Sequence, residues 1–599
     1  MKLSALYTNQ PRLFEPINFV PGLNVVLADI RLPENKQKDT HNLGKTILGR
    51  LIDFCLLLRR DPQFFLFKHE ELFKDFVFFL EIELLDNTFV TIKRSVEQPT
   101  KISLNKYIYG NQDFTSLSES NWDHIDMPFE KAKDLLDGLL DLSSLKPWPY
   151  RRGLGYLLRS QDDYKDVFTL KKSSFAHIDW KPYLSHILGF NDKDIKEHYD
   201  KEGELSRKRE QERVIINRIG KSIENRSKIQ GMLSIKKEEA EKMQVLLDAF
   251  DLRDQDKEKT SQLVDEINNS IASLNSERYY LMQNMKKISA SIKDNQILFN
   301  PEEAKQLFEE VGVYFQGQIK RDFEQLIEFN NAITQERKGY LIKESNEIKK
   351  RLKDINETLN DLGKQRSDIL SFLNESDAFI KYKQFSNDLI ILRADIASLE
   401  HQHRELVKLQ ELHKEMNILE SEIRQLQARI DEDIDKQGSD DGSLFRSICR
   451  FFNEIVEEVF ARKALLTVST NKEGHIEFNV DILGKHDNTT SASEGHSYKK
   501  LLCIAFDMAI VYAHASDRFP RFVFHDGVFE SLDNRKKENL LGIIRRYSDA
   551  YGIQHIITLN DSDIPPQISP DEPMFDDSEI ILRLHDKDDN GRLFKMPAW

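Results

Sequence analysis

A Gly-Lys-Thr tripeptide, Gly44-Lys45-Thr46, is the first place in the chain where residue types and order suggest chemistry. The residues before it read as a strand, and the apolar residues after it recur on one helical face, so the tripeptide begins a helix. Backbone amides there can hold phosphate, the lysine would reach the outer phosphates, and the threonine hydroxyl would bind magnesium. The complete phosphate-loop pattern also requires a glycine where the chain has Asp39, so the tripeptide alone is weak evidence.

Two stretches further along carry side chains that suit the same chemistry. Gln161 follows an apolar segment and precedes an acidic loop, where a glutamine can touch a metal ion and the attacking water. A lone glutamine is far more often an ordinary surface residue. Ser493 and Gly495 lie just before another helix, and a hydroxyl with exposed amides at a helix start suits a γ-phosphate. The plainer interpretation of this pair is an N-cap serine with a glycine turn.

Polar residues at strand ends complete the set. Asp526 follows the mostly apolar stretch RFVFH, and a carboxylate at a strand end can hold magnesium through water. Asp533 lies where a second loop would follow. An ordinary turn explains one aspartate after a strand about equally well. The stretch QHIITLN ends at Asn560, another polar side chain at a strand tip.

These residues must be positioned by more than one domain, because 599 residues exceed one ordinary core. We predict an N-terminal head lobe over 1–192 and a C-terminal head lobe over 438–599. Between them, the scarcity of Gly and Pro and the high charge indicate long solvated helices. We divide this segment into an ascending arm (193–298), a tip (299–333) and a descending arm (334–437).

Apolar residues recurring about every 3.5 positions predict that the arms are coiled coils. A helical bundle is the alternative, but charged flanks and the length of the pattern favour a coiled coil. An antiparallel rod that reverses in the tip would bring the two lobes together, so one site could be split between them; residues 246–257 could bend or interrupt the first arm. The two seams run through Ile348, Leu352, Ile355, Leu359, Leu362 and Ile369, and through Leu412, Met416, Leu419, Ile423, Leu426 and Ile430.

The lobes themselves read as mixtures of strands and helices. In the first, KLSALYT, INFV and LNVVLAD are predicted strands, and FVFFLEIELLD, TFVTIKRSV and KISLNKYIYG form an antiparallel sheet. In the second, ALLTVSTN pairs with HIEFNVDIL, and a later strand–helix–strand order implies a parallel sheet. The terminal stretch SEIILRLHDKDDNGRLFKM reads as a hairpin that turns at Asn590-Gly591.

Charge and cysteine usage restrict partners and compartment. The net charge of −15 argues against general coating of nucleic acid, so any DNA contact needs a local basic patch. Arg207-Lys208-Arg209 and Lys499-Lys500 are candidates, although solvated helix charges explain each cluster more simply. Three separated cysteines without a C-x-x-C pair disfavour zinc or disulfides and fit the cytoplasm. Apolar runs too short for a span predict no membrane association.

The order of these motifs at the two ends of a long helical segment resembles that of the SMC/RecN group of ABC-type ATPases. The GKT tripeptide matches the end of the group's Walker A motif, Gln161 falls at its Q-loop, and ASEGH matches its signature at Ser493 and Gly495. FVFHD looks like the Walker B strand and SLD (531–533) like the D-loop. The stretches HDGVFESLD and SYKKLLCIAFD also resemble the SMC-like subunits of bacterial anti-phage and anti-plasmid operons, of the Lamassu and three-component ABC type.

The resemblance implies a fold class: an α/β split ABC-type ATPase head joined by a long antiparallel coiled coil with a helical tip. It implies ATP and Mg²⁺ as cofactors and assigns three overlapping sets of residues. The catalytic set is Gln161, Asp526 and Glu530; the metal set is Thr46, Gln161 and Asp526; the ATP-binding set is Asn42, Gly44, Lys45, Thr46, Ser493, Gly495 and Asp533.

Departures from the family pattern bear on catalysis. The signature is degenerate, and the chain has Gly527 where the family has its catalytic glutamate and Asn560 where it has the switch histidine. The usual general base is therefore missing, and Glu530 is the nearest substitute. Because phosphoryl transfer depends mostly on positioning and charge, we expect tight ATP binding and slow hydrolysis.

By resemblance, we expect a DNA-sensing ATPase subunit of a cytoplasmic bacterial defence complex. Two such chains would form a homodimer, sandwich ATP between their heads, clamp double-stranded DNA by its ends or form, and control a separate effector with accessory subunits. A non-hydrolysing ATP-dependent scaffold is one alternative, which Gly527 favours. A DNA repair ATPase of the RecN type is another.

Overall fold

The structure, a computed structural model, describes residues 1–32, 43–170, 176–219, 226–248, 257–293, 317–370, 377–484, 489–490, 496–530, 532–565, 574–597 and 599. The chain divides into two compact units. We call residues 1–201 with 422–599 the head unit, and residues 202–421 the helical unit.

The head unit contains every strand of the described chain. In chain order they are β1 (Lys2–Thr8), β2 (Ile17–Asn18), β3 (Leu23–Asp29), β4 (Val77–Glu83), β5 (Phe89–Ser95), β6 (Lys101–Tyr107), β7 (His124–Pro128), β8 (Leu158–Arg159), β9 (Ala464–Thr470), β10 (Ile476–Leu483), β11 (Thr489–Thr490), β12 (Phe522–His525), β13 (Gln554–Asn560) and β14 (Ile580–His585).

The helices are long in the middle of the chain and shorter elsewhere. They are α1 (Lys45–Cys55), α2 (Phe65–Lys68), α3 (Glu70–Phe73), α4 (Phe129–Leu140), α5 (Leu154–Leu157), α6 (His177–Ile187), α7 (Asp192–Ile219), α8 (Arg226–Asp248), α9 (Lys257–Lys293), α10 (Gly317–Leu370), α11 (Asp377–Ser439), α12 (Leu444–Phe460), α13 (His496–Ala513) and α14 (Asn534–Tyr551).

A five-stranded parallel sheet joins the two ends of the chain. Its order is β14-β3-β13-β12-β8, so two strands from the N-terminal lobe, β3 and β8, are hydrogen-bonded to strands from the C-terminal lobe. β3, β12 and β13 are almost wholly buried apolar runs, as parallel strands covered on both faces must be. The head is therefore split in sequence and single in space, as predicted.

The head unit also contains two antiparallel sheets. One has the order β2-β1-β4-β5-β6-β7, and the other has the order β11-β10-β9. The predicted pairings of β4 with β5, β5 with β6, and β9 with β10 are all present. The strand predicted at INFV is reduced to two residues, and β7 was not predicted because its residues are mostly exposed and carry little apolar alternation.

The predicted C-terminal hairpin is wrong. β14 pairs in parallel with β3, and Asp589–Gly591 forms one short 3₁₀ turn with no returning strand. Beyond that turn, Leu593 and Phe594 are buried in the head core, and Phe594 contacts a cluster of phenylalanine rings. The Asn-Gly signal was real as a turn, but burial of the following apolar pair outweighed strand pairing.

In the helical unit, helices pair in antiparallel fashion, as the seams predicted. α9 pairs with α10, where Arg351 bonds Glu277 at 2.8 Å, and α8 pairs with α11, where Lys236 bonds Asp395 at 2.7 Å. Both contacts join positions mirrored about the predicted tip. Residues of both predicted seams, which belong to the descending arm, are buried: Ile348, Leu352, Ile355, Leu412, Met416 and Leu419.

The arms also fold back on themselves, which an uninterrupted rod would not do. α8 ends at Asp248 and α9 begins at Lys257, within the stretch predicted to interrupt the first arm. Contacts of α9 with α11 advance in the same direction along both helices: Asn268 bonds Ser386 at 3.0 Å, and the rings of Tyr280 and His401 lie 5.5 Å apart. α9 therefore runs parallel to α11, and the helical unit is a folded antiparallel assembly.

The predicted tip lies mostly outside the described residues. From Gly317 onward it belongs to α10, so this part of the predicted tip is continuous helix. Among the helices of the described chain, none is both long enough and apolar enough to cross a membrane.

Candidate functional site

Gly44, Lys45 and Thr46 lie where predicted, at the N-terminus of α1. Gly44 has a φ of 102°, which favours glycine, and a Cβ there would come within 2.6 Å of the Leu593 Cβ. The Leu593 N–H also donates to the carbonyl of Leu43 at 2.9 Å. The C-terminal segment thus packs directly against the tripeptide, a contact that the sequence did not indicate.

A hydroxyl and a carboxylate from opposite ends of the chain meet at this helix start. The Thr46 hydroxyl donates to Asp526 Oδ2 at 2.6 Å, and the Thr558 hydroxyl donates to Asp526 Oδ1 at 2.5 Å. The Gly527 N–H donates to the Thr558 hydroxyl at 2.8 Å. Asp526 follows β12 and is fully buried, so these bonds hold its carboxylate in place. Thr558 was not assigned to the site from sequence, although its position near the end of β13 was a usable signal.

Lys45 is a partly buried cation at the same place. Its ammonium donates to Asn560 Oδ1 at the end of β13. Burial lowers the pKa of Lys45 from its ordinary value, and the carboxylates of Asp526 and Glu530 oppose that shift. A partly desolvated ammonium gains more from a nearby anion than a solvated one does.

Gln161 and Glu530 meet beside the aspartate. Gln161 begins the short turn after β8, and its Nε2 donates to Glu530 Oε1 at 2.8 Å. The ammonium of Lys500, from α13, lies 3.0 Å from Glu530 Oε2. Lys500 is buried and ion-paired, so it is neither a DNA contact nor a solvated helix charge, and its candidacy as a DNA contact was wrong. In the other basic cluster, Lys208 and Arg209 form ion pairs with glutamates of α11.

The glycine at position 527 leaves room for the Glu530 carboxylate beside Gln161. Its φ is +65°, and a Cβ built there would lie 2.7 Å from Gln161 Nε2 and 2.8 Å from Glu530 Oε1. The Glu530 carboxylate therefore occupies space that a side chain at position 527 would need.

The remaining predicted site residues stand apart from this cluster or outside the described residues. Asp533 is the N-cap of α14, where its side chain accepts from the Lys536 N–H at 3.1 Å and pairs with the Lys536 ammonium at 2.6 Å. Those bonds lower the pKa of Asp533. Asn42, Ser493 and Gly495 lie outside the described residues, and their assignment stays a prediction.

A buried ion pair anchors the loop that carries Gln161. Arg159 at the end of β8 pairs with Asp507 of α13 at 2.6 Å, and both side chains are fully buried. The same guanidinium donates to the carbonyls of Asp163 at 2.8 Å and Val167 at 2.9 Å. Burial alone would lower the pKa of Arg159, but the Asp507 carboxylate outweighs it and raises that pKa.

The other end of α1 is held by arginines. Arg94 donates to the carbonyl of Phe54 at 2.5 Å, and Arg151 bonds the Asp53 carboxylate at 2.8 Å and the Leu56 carbonyl at 3.0 Å. Cations at a helix C-terminus complement its dipole. The helix that begins with Lys45 is therefore fixed at both ends.

Comparison with known proteins identifies relatives of part of the chain and similar structures for most of it. A family model described as an uncharacterised protein conserved in bacteria (DUF2326) matches residues 455–598, the C-terminal part of the head. No curated protein matches the chain.

Solved structures similar to the chain include SMC heads. The Smc head domain with a coiled coil and joint from Pyrococcus yayanosii is 13% identical, with 93% of this chain and 92% of that chain covered and a TM-score of 0.33. The Smc head domain with an extended coiled coil, bound to the C-terminal domain of ScpA, from Pyrococcus furiosus is 11% identical, with 94% and 90% covered and a TM-score of 0.31. At these scores the whole structures do not superimpose, so the fold rests on the chain's own topology.

That topology defines the class. A parallel sheet shared by the two ends of the chain, with long paired helices between them in sequence, is the split-head fold class that the sequence predicted. Within that class, the chain combines a C-terminal part matched by the DUF2326 model with a head in which glycine follows the strand-end aspartate.

Proposed function

We propose that the chain binds ATP and magnesium and hydrolyses ATP slowly. The observation that carries this proposal is the 2.6 Å hydrogen bond between the Thr46 hydroxyl and Asp526, residues that lie 480 positions apart in sequence. Only a fold that brings the two lobes together produces it. A hydroxyl and a carboxylate beside a partly buried lysine at a helix N-terminus are the groups that a magnesium-bound triphosphate requires.

The residues present fit both cofactors. Thr46 and Asp526 offer hard oxygen donors, which Mg²⁺ prefers, and Gln161 lies within the same site. Lys45 and the amides at the start of α1 would hold the phosphates, with Asn42, Ser493, Gly495 and Asp533 completing the ATP-binding set. Bound magnesium would neutralise charge on the phosphate oxygens.

Hydrolysis needs a group that orients and deprotonates water, and Glu530 is our candidate. Its carboxylate is bonded to Gln161 and lies near the space above Gly527. Gln161 would orient the same water from the loop after β8. Glu530 lies three residues beyond the position directly after the strand-end aspartate, so more rotatable bonds separate its carboxylate from the strand. We therefore expect the carboxylate to be positioned less precisely and turnover to be slow.

The wider role is proposed from the family resemblance. Two chains would close their heads around ATP as a homodimer, clamp double-stranded DNA, and control a separate effector with accessory subunits in a bacterial defence complex. Lys500 is buried in its ion pair and is not available to DNA, whereas Arg207 and Arg209 are exposed and remain candidate contacts.

A non-hydrolysing scaffold is the second candidate, and Gly527 is the observation that favours it. In that case, ATP would hold two heads together, and release would depend on dissociation. The two candidates predict the same binding and differ only in turnover.

The decisive experiment measures ATP binding and turnover by the purified chain, with and without linear double-stranded DNA. The test variant is Lys45→Ala, and Lys74→Ala, an exposed lysine of the head unit, is the matched control. Turnover that DNA stimulates and only Lys45→Ala abolishes supports the sensor. ATP binding without any turnover supports the scaffold, and normal binding by Lys45→Ala contradicts both.

A further inference from the structure

We infer that Lys500 is a positioning residue that holds the Glu530 carboxylate in the place left open by Gly527. This inference rests on the proposed ATPase function and assigns a role in it to a residue that the family motifs do not include. Lys500 follows the signature stretch by one turn of α13, whereas Glu530 lies in the loop after β12.

The burial of Lys500 is the first observation. Its side chain is 3% exposed, and a lysine is almost never that buried unless its ammonium is paired. Among the described residues, this ammonium contacts Glu530 Oε2 at 3.0 Å and the ring of Tyr164, whose centroid lies 5.2 Å away. The Glu530 carboxylate is the anion that compensates its charge.

The position of the carboxylate is the second observation. Glu530 is 35% exposed and belongs to a short turn, so nothing in its own backbone restricts its rotamers strongly. Two bonds do so: Lys500 holds Oε2, and Gln161 holds Oε1. With both in place, Oε1 lies 2.8 Å from the Cβ position of residue 527.

The placement of Lys500 on its helix is the third. Asp507 lies seven residues further along α13, on the same face, and forms the buried pair with Arg159 that anchors the Gln161 loop. One face of α13 therefore fixes both partners of the site: Glu530 directly through Lys500, and Gln161 through Asp507 and Arg159. Removing Lys500 releases the carboxylate while leaving the glutamine anchored.

The consequence is a specific kinetic signature. Lys500 is 3.0 Å from Glu530 and acts on the water only through it, so its loss should lower kcat and leave the KM for ATP nearly unchanged. A displacement of about 1 Å costs roughly 10²-fold, so we expect Lys500→Met to lower kcat by about 10- to 100-fold. In a Glu530→Gln background, Lys500→Met should change kcat less than about twofold.

The experiment is a double-mutant cycle on the full chain. Steady-state ATP turnover and binding of a fluorescent ATP analogue are measured for the unmodified protein, Lys500→Met, Glu530→Gln and the double variant. Lys181→Met is the matched control, because Lys181 is also buried in the head unit and its ammonium donates to a backbone carbonyl, that of Ile476. Its kcat should equal that of the unmodified protein.

Thermal unfolding without nucleotide tests the pair separately. Glu530→Gln removes the negative charge that faces a buried ammonium, so its melting temperature should fall below that of the double variant, which lacks both charges. Equal additive shifts would show that the two side chains do not interact, and would overturn the inference without involving ATP.

Other outcomes distinguish the inference from the function on which it rests. Turnover that survives Lys500→Met, or that Lys500→Met lowers equally with and without Glu530, overturns the positioning role and leaves the ATPase standing. ATP binding without turnover by the unmodified protein overturns the positioning role and leaves the scaffold. Loss of ATP binding by the unmodified protein overturns both.

Discussion

At the residue scale, the site depends on a few side chains held in unusual surroundings. Gly527 adopts a left-handed backbone, and the Glu530 carboxylate fills the space beside it. The buried His555 belongs to strand β13 of the same sheet, and its Nε2 and the Tyr512 hydroxyl are 2.8 Å apart. Each of these features leads to a measurable expectation.

A glutamate at position 527, where the ATPases that the chain resembles carry one, should damage the protein. Gly527→Glu places a Cβ in the left-handed region and against Gln161 and Glu530, which should cost about 1–3 kcal/mol of unfolding free energy and lower turnover. Urea denaturation and an ATPase assay measure the two effects. Gly542→Glu, in open space on α14, is the control; it should leave turnover unchanged and raise stability by less than about 1 kcal/mol, because glycine is a poor helix former. A faster, equally stable Gly527→Glu protein would show that the loop adapts freely.

His555 should make the head sensitive to acid. Burial, helped by the nearby charge of His525, lowers the pKa of His555 from 6.5 to about 3. Between pH 6.5 and about 3, His555 therefore binds a proton in the unfolded state but not in the folded state, so stability is lost as the pH falls through this range. His555→Gln should remove a few kcal/mol of that loss. Unfolding midpoints between pH 4 and 7 measure it, and the exposed His124→Gln should behave like the unmodified protein. If the unfolding midpoints of His555→Gln and of the unmodified protein changed with pH in the same way, His555 would not be a buried neutral imidazole.

At the element scale, helix α13 and the edge strand β8 together hold the loops of the site in place. The Arg159–Asp507 pair joins β8 to α13, and Lys500 joins α13 to the loop after β12. Helix α1 is held at its C-terminus by Arg94 and Arg151. The side chains near Asp526 therefore lie on helices, strands and loops that buried contacts hold in place.

Breaking the buried pair should be costly. Arg159→Met removes the guanidinium that neutralises the buried Asp507 carboxylate, which then keeps the His525 ring nitrogen at 3.3 Å, and should lower the unfolding free energy by about 3–5 kcal/mol. The Gln161 loop would also lose its guanidinium anchor, so ATP turnover should fall in the protein that remains folded. Chemical denaturation and turnover at 10 °C measure the two effects.

The control for this variant is an exposed pair. Lys106 bonds Asp86 at 3.0 Å on the surface of the antiparallel sheet, and Lys106→Met should change stability by less than about 1 kcal/mol. If both variants cost the same, the buried pair would have no special role in anchoring the loop.

At the scale of the whole molecule, the arms pair and also fold back. Ion pairs such as Arg351 with Glu277 join mirrored positions, whereas the Asn268–Ser386 bond and the Tyr280–His401 contact join α9 to α11 in parallel. The contacts of α9 with α11 combine the Asn268–Ser386 hydrogen bond with buried apolar residues of both helices, among them Ile267 and Ile390.

Cysteine cross-links distinguish pairing from folding. With the natural cysteines removed, a Glu277→Cys, Arg351→Cys protein should cross-link whether the arms are straight or folded. A Tyr280→Cys, His401→Cys protein should cross-link only when they are folded, because their rings lie 5.5 Å apart in the folded unit. Tyr280→Cys with Glu420→Cys is the negative control, since residue 420 lies about 28 Å further along α11. Cross-linking of the first pair alone would establish a straight rod.

The sequence by itself determined the local elements and their order. Apolar runs specified β3, β12 and β13, heptad spacing specified the arms, and the tripeptide at Lys45 and the aspartate after β12 identified the candidate site. These signals are local, because strand burial and helix periodicity depend on neighbours a few residues away. The Asn-Gly turn was equally local, and it misled because local signals cannot weigh a turn against the burial of Leu593 and Phe594.

Only the tertiary structure decided which distant side chains meet. One-dimensional periodicity could not show that Lys500 faces inward to Glu530, that Thr558 bonds Asp526, or that Leu593 packs on Gly44. The apolar seams also could not show that α9 lies along α11, because a seam indicates that a helix face is apolar but does not identify the helix that packs against it. Such contacts join residues tens to hundreds of positions apart, and their free energy exists only when the whole chain has folded.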